Sequence, residues 1–346
     1  MIKKIILFVC TFILISIAPS YLFSVSVDWV SGDVTYSHLK SEWRALNVGT
    51  QLAPGDIVKT GTYSEVTLID DGVEIYLLEN STFTISEKYE DEQQKTSLML
   101  FLGRMKFKLS RARKTEPEIR TQTVNLTIRG TEFEVGSGFD GSTLVLLSDG
   151  VVSVRGKTKE LVLEGGEGTE VAFGEEPTEK FELITRVIDW NEWFIDTKES
   201  VKGNELLLLN KILERFQEID GQIKEYERMR EEARARQKEH VETRDRLREE
   251  GRDEEAVEYS RKAGAEGKAA YHLLMNIRFL ALSSIGLHDL ALDIFKGVEK
   301  PDAELKESSE QINEIYGRIE RSYIYEGDRE ALEKRARKKK GCLKLF

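Results

Sequence analysis

Gly136-Ser-Gly138-Phe-Asp-Gly141 has the spacing of a dinucleotide-binding turn. There the glycines let the backbone approach a pyrophosphate held at a helix N-terminus. That chemistry needs a strand before the glycines and a helix after them. Here apolar alternation runs up to Val135 and resumes at Thr143, so the glycines read as a hairpin loop. The stretch from Gly150 to Gly156-Lys157-Thr158 looks like a phosphate loop, but it has five intervening residues instead of four and lies in a strand pattern. The four histidines, His38, His240, His272 and His288, form no H-E-x-x-H pair and none stands at metal-ligand spacing with a cysteine. There is no G-x-S-x-G elbow. The Asp-Gly pairs are ordinary turn chemistry. No catalytic residue, metal or cofactor is expected, and the chain reads as a non-enzyme.

The remaining chemistry lies in cations. Alternation through Gly103-Arg104-Met105-Lys106-Phe107-Lys108-Leu109 puts Arg104, Lys106 and Lys108 on one face, and Arg111, Arg113 and Lys114 follow. An anionic glycan, lipid or acidic protein suits such a patch. The preferred reading is simpler: an exposed strand whose Lys and Arg guard a sheet edge against pairing. His288 is expected in a solvated turn. Lys334-Arg335-Ala-Arg337-Lys338-Lys339-Lys340 reads as the end of a helix, where cations complement the macrodipole. Leu343, Leu345 and Phe346 keep an anionic-surface anchor in view.

The elements that must position these residues fall into two kinds. Residues 25–175 read as short strands separated by Gly32-Asp33, Pro54-Gly55-Asp56, Asp71-Gly72, Asp140-Gly141 and Asp149-Gly150, in a two-sheet or coiled β architecture. Residues 176–203 form a polar linker ending in an aromatic patch, Trp190, Trp193 and Phe194. Packing between domains is the expected role of that patch, and a sugar-binding platform the alternative. Residues 204–346 read as an α-helical domain. Asn204 is placed as its N-cap. Leu209, Ile212, Phe216, Ile219, Ile223 and Tyr226 make an a/d stripe, which decays through Arg230, Ala233, Gln237 and His240 in a helix running to about Glu249. Gly251 and Ala256 are echoed by Gly286 and Ala291 at an offset of 35 residues, with a further echo at Gly327 and Ala331. This resembles tetratricopeptide repeats, although generic helical hairpins with Gly in the turns explain the same pattern.

Residues 1–24 stand apart. Lys3 and Lys4 precede the apolar run Ile5 to Ile17, and small residues follow. A run of thirteen residues is short for a membrane span of about 20, so the segment reads as a cleaved signal peptide, with an uncleaved anchor as the alternative. Loss of Cys10 with the signal leaves Cys342 as the only cysteine and no intrachain disulfide. A formal net charge of −11 excludes a nucleic-acid binder, which needs basic surface to displace counterions.

One strand carries a family resemblance. In Thr121 to Val135 the apolar residues Val124, Leu126 and Ile128 run into Arg129-Gly130-Thr131 and continue through Phe133 and Val135. A Gly inside such a strand marks a bulge or a close backbone approach. The pattern resembles the FecR-domain family over Val27 to about Phe173. The opening block Trp29, Gly32, Val34, Trp43, Leu46, Gly49 and Leu52 fits it. So do Pro54-Gly55-Asp56-Ile57-Val58-Lys59-Thr60-Gly61 and the closing strand Thr143 to Val154. Thr121-Gln122 departs from the family's usual Thr-Pro. The resemblance implies an all-β, periplasmic or envelope-facing module that receives a signal or binds a partner. The family's best-known front end, a cytoplasmic anti-sigma region and a membrane helix, has no counterpart here, so direct sigma-factor control is not expected.

The leading expectation is an exported, non-catalytic binding, signalling or scaffolding protein whose helical half contacts an envelope protein. The alternative is a structural or adhesive protein that binds glycan or peptidoglycan, and the third reading is an enzyme whose catalytic groups converge from distant positions. Membrane contact is expected only through residues 1–24 or the basic tail. Mass spectrometry of the native N-terminus is expected to find a chain that starts between Tyr21 and Val27; a mature protein retaining Met1 in the membrane fraction would establish the anchor instead.

Overall fold

A computed structural model of the chain describes residues 25–70, 72–109 and 117–325, without the side chains of residues 129–131 and 325. The expected signal segment 1–24, Asp71, Arg111, Arg113, Lys114, the Gly327 echo, the basic tail and Cys342 lie outside the described residues.

Turn residues divide the first half into strands. They run β1 (Val25–Ser31), β2 (Val34–His38), β3 (Arg44–Ala45), β4 (Gln51–Leu52), β5 (Asp56–Thr60), β6 (Glu65–Asp70), β7 (Val73–Leu77) and β8 (Thr82–Glu90). Next come β9 (Gln93–Leu109), β10 (Glu118–Arg120), β11 (Asn125–Ser137), β12 (Thr143–Arg155), β13 (Glu160–Glu164), β14 (Glu167–Val171) and β15 (Phe181–Glu182). All belong to one hydrogen-bonded sheet that folds around an apolar core including Leu68, Phe83, Phe107, Phe133 and Val154. The two glycine-rich stretches are strand and hairpin: Gly136–Gly141 joins β11 to β12, and Gly150 lies inside β12.

The seventeen-residue β9 is the spine of this sheet. Leu98 and Leu100 enter the β core, while Met99 and Phe101 enter a second core shared with helices. Burial on both faces is why this stretch reads as an unbroken apolar run. Up to Leu102, β9 pairs with β8. At Gly103 (φ 97°) it changes neighbours, and its last residues pair with β7 on one side and β11 on the other. Arg104, Lys106 and Lys108 therefore sit on a central strand, and the edge-guarding expectation is corrected. The pairing of β11 with β12 shifts register between Arg129 and Glu132, across the Arg-Gly-Thr motif. An extra residue unpaired at that point is a bulge, as an in-strand Gly implies.

The second half is helical: α1 (Trp190–Val201), α2 (Glu205–Glu249), α3 (Asp253–Lys296) and α4 (Ala303–Ile319), followed by a π-helical turn at Glu320–Tyr325. The stretch expected as linker thus contains a helix. Asp189 caps it, its Oδ1 accepting from Asn191 N (2.9 Å) and Glu192 N (3.2 Å). Asn204 takes the cap position of α2, but its amide donates back to Ser200 O (2.8 Å) and caps nothing. The apolar stripe Leu209, Ile212, Phe216, Ile219 and Ile223 is buried in the second core.

Gly251 (φ 71°) closes the turn between α2 and α3. Its N–H donates to Arg248 O (3.1 Å) and that of Arg252 to Leu247 O (2.8 Å), the paired bonds of a Schellman motif. Gly286 makes no turn. It lies inside α3, so the stacked-hairpin expectation is corrected to one long antiparallel hairpin, each arm roughly 65 Å at 1.5 Å per residue. The echo has another origin. Ala256, Ala263, Ala270, Ile277, Ser284 and Ala291 are all buried and recur every seven residues. Thirty-five residues is five such heptads, the period of a coiled-coil seam. Small side chains let the arms approach closely: a Cβ on Gly267 would lie 2.5 Å from Gln237 Nε2. His288 is likewise moved from a turn to a helix contact, stacked on Tyr316 of α4 (3.8 Å) and bonded to Asn313 Oδ1 (2.8 Å).

Sheet and helices meet along one face of α3. Asn276 replaces a strand neighbour for Tyr89: Tyr89 N donates to Asn276 Oδ1 (2.7 Å) and Asn276 Nδ2 to Tyr89 O (2.9 Å). A Cβ on Gly286 would sit 2.3 Å from the Phe101 ring. In an open helix position Gly→Ala is stabilising by about 1 kcal/mol, and Gly264, with nothing within 4 Å of its Cβ position, is such a site. G264A is expected to gain about that much, whereas G286A overpacks the interface and is expected to lose about 1–2 kcal/mol net. Urea unfolding of the two variants checks this; a gain in both would mean that Phe101 yields freely.

Candidate ligand-binding cleft

The strand motif Thr60-Gly61 builds one wall of a cleft. Thr60 Oγ1 donates to Leu78 O (2.6 Å) and accepts from Ser81 N (2.9 Å). Gly61 N donates to Asp33 O (2.8 Å), and Gly61 O accepts from Asn80 N (3.2 Å). These bonds tie the β5–β6 turn to the β7–β8 turn. Tyr63 and Asn80 are held there with φ of 56° and 55°. For a bulky residue such a backbone is strained, a feature that clusters at binding sites. Glu79 Oε2 accepts from Tyr63 N (2.7 Å), and Tyr63 is 89% exposed.

Helix α1 builds the opposite wall, and glycines bring it close. A Cβ on Gly136 would lie 2.5 Å from the Trp190 ring, and one on Gly138 would lie 2.7 Å from Thr197 Cγ2. Phe139 N donates to Thr197 Oγ1 (3.3 Å) and Ser200 Oγ to Asp140 Oδ2 (2.6 Å). Trp193 is buried with its Nε1 on Glu170 Oε1 (2.7 Å). The aromatic patch therefore packs α1 against the β11–β12 hairpin and leaves part of Trp190 and Phe194 facing outward. Between the walls lies a cleft of about 540 Å³ lined by Tyr63, Glu79, Asn80, Arg104, Phe139, Trp190, Asn191 and Phe194, among others. Aromatic walls with a few polar groups are the usual make-up of a ligand site.

Among the described residues of the expected cationic patch, Arg104 alone lines this cleft. Its guanidinium lies over Trp190 at 4.6 Å, and its Nε donates to Glu134 Oε2 (2.9 Å). Lys106 Nζ pairs with Glu134 Oε1 (2.9 Å). In the sheet register Lys108 stands opposite Glu132 and Glu74. The described cations of the patch thus face carboxylates of neighbouring strands. The family-motif residues do structural work. The Asp56 carboxylate accepts from Ala53 N (2.8 Å) and meets His38 Nδ1 (2.8 Å), next to Gly55 at φ 95°. Phe133 packs on Phe107 at 5.4 Å, and Val135 is buried. The side chains of Arg129, Gly130 and Thr131 lie outside the described set. Sequence reasoning missed Tyr63 and Asn80. The available signal was an aromatic residue inside the Gly61-Thr-Tyr63-Ser64 turn.

Residues 56–153 match a family model described as FecR protein. The chain carries a FecR domain, and the match falls on strands β5 to β12. Nothing among curated proteins matches the chain. Two crystal structures of a protein described as an anti-sigma factor, from Parabacteroides distasonis ATCC 8503, at 2.50 Å and 1.65 Å, are similar to it at 16% identity and a TM-score of 0.30. The similarity covers 36% of this chain and 59% of that one, so the match spans little more than half of that protein.

Partial burial opposes ionisation of Glu134, but hydrogen bonds from Lys106 and Arg104 outweigh it and hold its carboxyl below the usual carboxylate range. A carboxylate whose folded pKa is depressed stabilises above its unfolded value and loses that contribution as pH falls through the folded value. E134Q is expected to cost about 1–2 kcal/mol at pH 7. In denaturant titrations its deficit against wild type should close as pH falls below about 4. A deficit independent of pH would show that the charge contributes nothing.

Proposed function

We propose that the chain is an exported, non-catalytic signalling module that works by binding a protein partner in the envelope. The observation that carries this reading is the cleft built jointly by the FecR domain and α1. Tyr63, Trp190 and Arg104 meet there, and Tyr, Trp and Arg are the side chains that most often anchor protein interfaces. The walls are tied by backbone and side-chain bonds, so a partner meets a formed surface and little ordering cost. Lys3-Lys4 and the following apolar run support export. The α2–α3 hairpin serves as scaffold and second contact surface, with Val257 exposed near its tip.

A second reading draws on the same walls. The outward parts of Trp190 and Phe194, beside Asn80 and Asn191, also suit a pyranose ring and its hydroxyls, which makes an envelope glycan the alternative ligand.

Site-specific photo-crosslinking in cells separates these. A photoreactive residue at Tyr63 is expected to trap a protein, and W190A is expected to abolish that adduct while the melting transition persists. Adducts formed only from a probe at Val257 would move the partner site to the hairpin. Retention of peptidoglycan fragments by wild type but not by W190A, with no protein adduct at Tyr63, would favour the glycan.

A further inference from the structure

A second cleft lies on the other side of the sheet, where β10 faces α2. Ile119 is buried in the β core, so Glu118 and Arg120 on either side of it point toward the helices. Glu118 is matched by Lys88 Nζ at 2.8 Å. Arg120 is not matched. Its guanidinium lies over the Phe279 ring of α3 at 4.8 Å and has no hydrogen-bond acceptor among the described residues. Two residues on, Gln122 Nε2 is buried and also lacks a partner among the described residues. Both side chains line a cleft of about 200 Å³, bounded by Lys211, Arg215 and the Phe173-Gly174-Glu175 turn.

The charges around it are otherwise paired. Lys211 Nζ meets Glu175 Oε1 (2.7 Å), and Arg215 Nη1 meets Glu218 Oε2 (2.9 Å), which Lys157 also contacts. Glu214 is exposed on the rim. What remains for a ligand is the Arg120 guanidinium, a donor only, since Gln122 Nε2 is packed against Gly286 of α3. A guanidinium cannot shed its proton, and a buried charge without an acceptor is costly. Burial and the nearby Arg215 both press against the charge of Arg120, with Glu118 and Glu90 opposing them less closely than a bonded acceptor would. The cleft mouth stays open, and Arg120 is only half-buried as a whole residue.

We propose that this cleft binds a small oxyanion, a carboxylate or phosphate group, held by the Arg120 guanidinium fork. An Arg fork gives such a group two parallel charge-assisted bonds, and the ligand would tie β10 to α2. The proposal is independent of the partner-binding cleft, which lies at Trp190.

The test is thermal unfolding of the full chain with inorganic phosphate or succinate, at ionic strength held constant with sodium chloride. Wild type should show a saturable rise of several degrees with one of the two anions; stronger response to phosphate assigns a phosphoryl ligand, to succinate a carboxylate. R120M should abolish the rise while melting, without anion, no lower than wild type, because methionine fills the site without a buried charge. R120K should shift the midpoint concentration upward about tenfold, since a lysine has no fork. No saturable rise with either anion, or the same rise in R120M, would overturn the proposal. If R120M does not fold, R120Q is read instead: loss of the rise supports the site and an unchanged rise removes it.

Discussion

Phe101 seated on Gly286 is the contact on which the joining of sheet and helices depends. Phe101 belongs to a strand that must be apolar on both faces, because Leu100 beside it fills the β core. Gly286 must lack a side chain, because the ring occupies the place of its Cβ. Around this point α3 presents two opposite stripes. Ala270, Ile277 and Ser284 turn toward α2, while His272, Phe279 and Gly286 turn toward the sheet. At 100° per residue, positions seven apart stay on one face and those nine apart cross to the other. One helix thereby serves as coiled-coil arm and as cover for β8 and β9.

This double duty explains which parts were legible in the sequence. The apolar runs, the turns and the Arg-Gly-Thr strand follow from local patterns, and the β half was readable from them. The a/d stripe from Leu209 to Ile223 marks a buried helix face for the same reason. The echo of Gly251 at Gly286 was visible, but its meaning was not. A glycine ends a helix when its backbone turns left-handed, and continues it when a neighbour fills its Cβ space. Only the first has a local signal. Gly251 is of the first kind, with φ of 71°, and Gly286 of the second. The cations of β9 failed in the same way. Alternation gave their common face, but whether a strand has one neighbour or two is decided by residues thirty positions distant, here Glu74 and Glu134.

The candidate cleft was half legible. The Trp190 patch stood out by composition, and its packing role followed from its place at a composition shift. The opposite wall was hidden, because its position depends on two turns brought together by Thr60 and Ser81. The family-motif residues Thr60 and Gly61 thus act at one remove. They touch no cleft surface themselves in the way Tyr63 does, but they fix the turn that presents it.

The two clefts sit at the two ends of one mechanical chain. Helix α1 is pinned to the β11–β12 hairpin at Gly136, Phe139 and Asp140. Only Lys202, Gly203 and Asn204 separate it from α2, and Lys202 and Asn204 both bond back onto α1 through Glu199 and Val201. A wedge between Tyr63 and Trp190 must therefore either leave α1 in place or move it together with the start of α2. The first turns of α2 carry Lys211 and Arg215, which wall the Arg120 cleft. Contacts in one cleft and contacts in the other thus act on the same helix pair against the same sheet, and a ligand with different affinity for two settings of that pair would bias both.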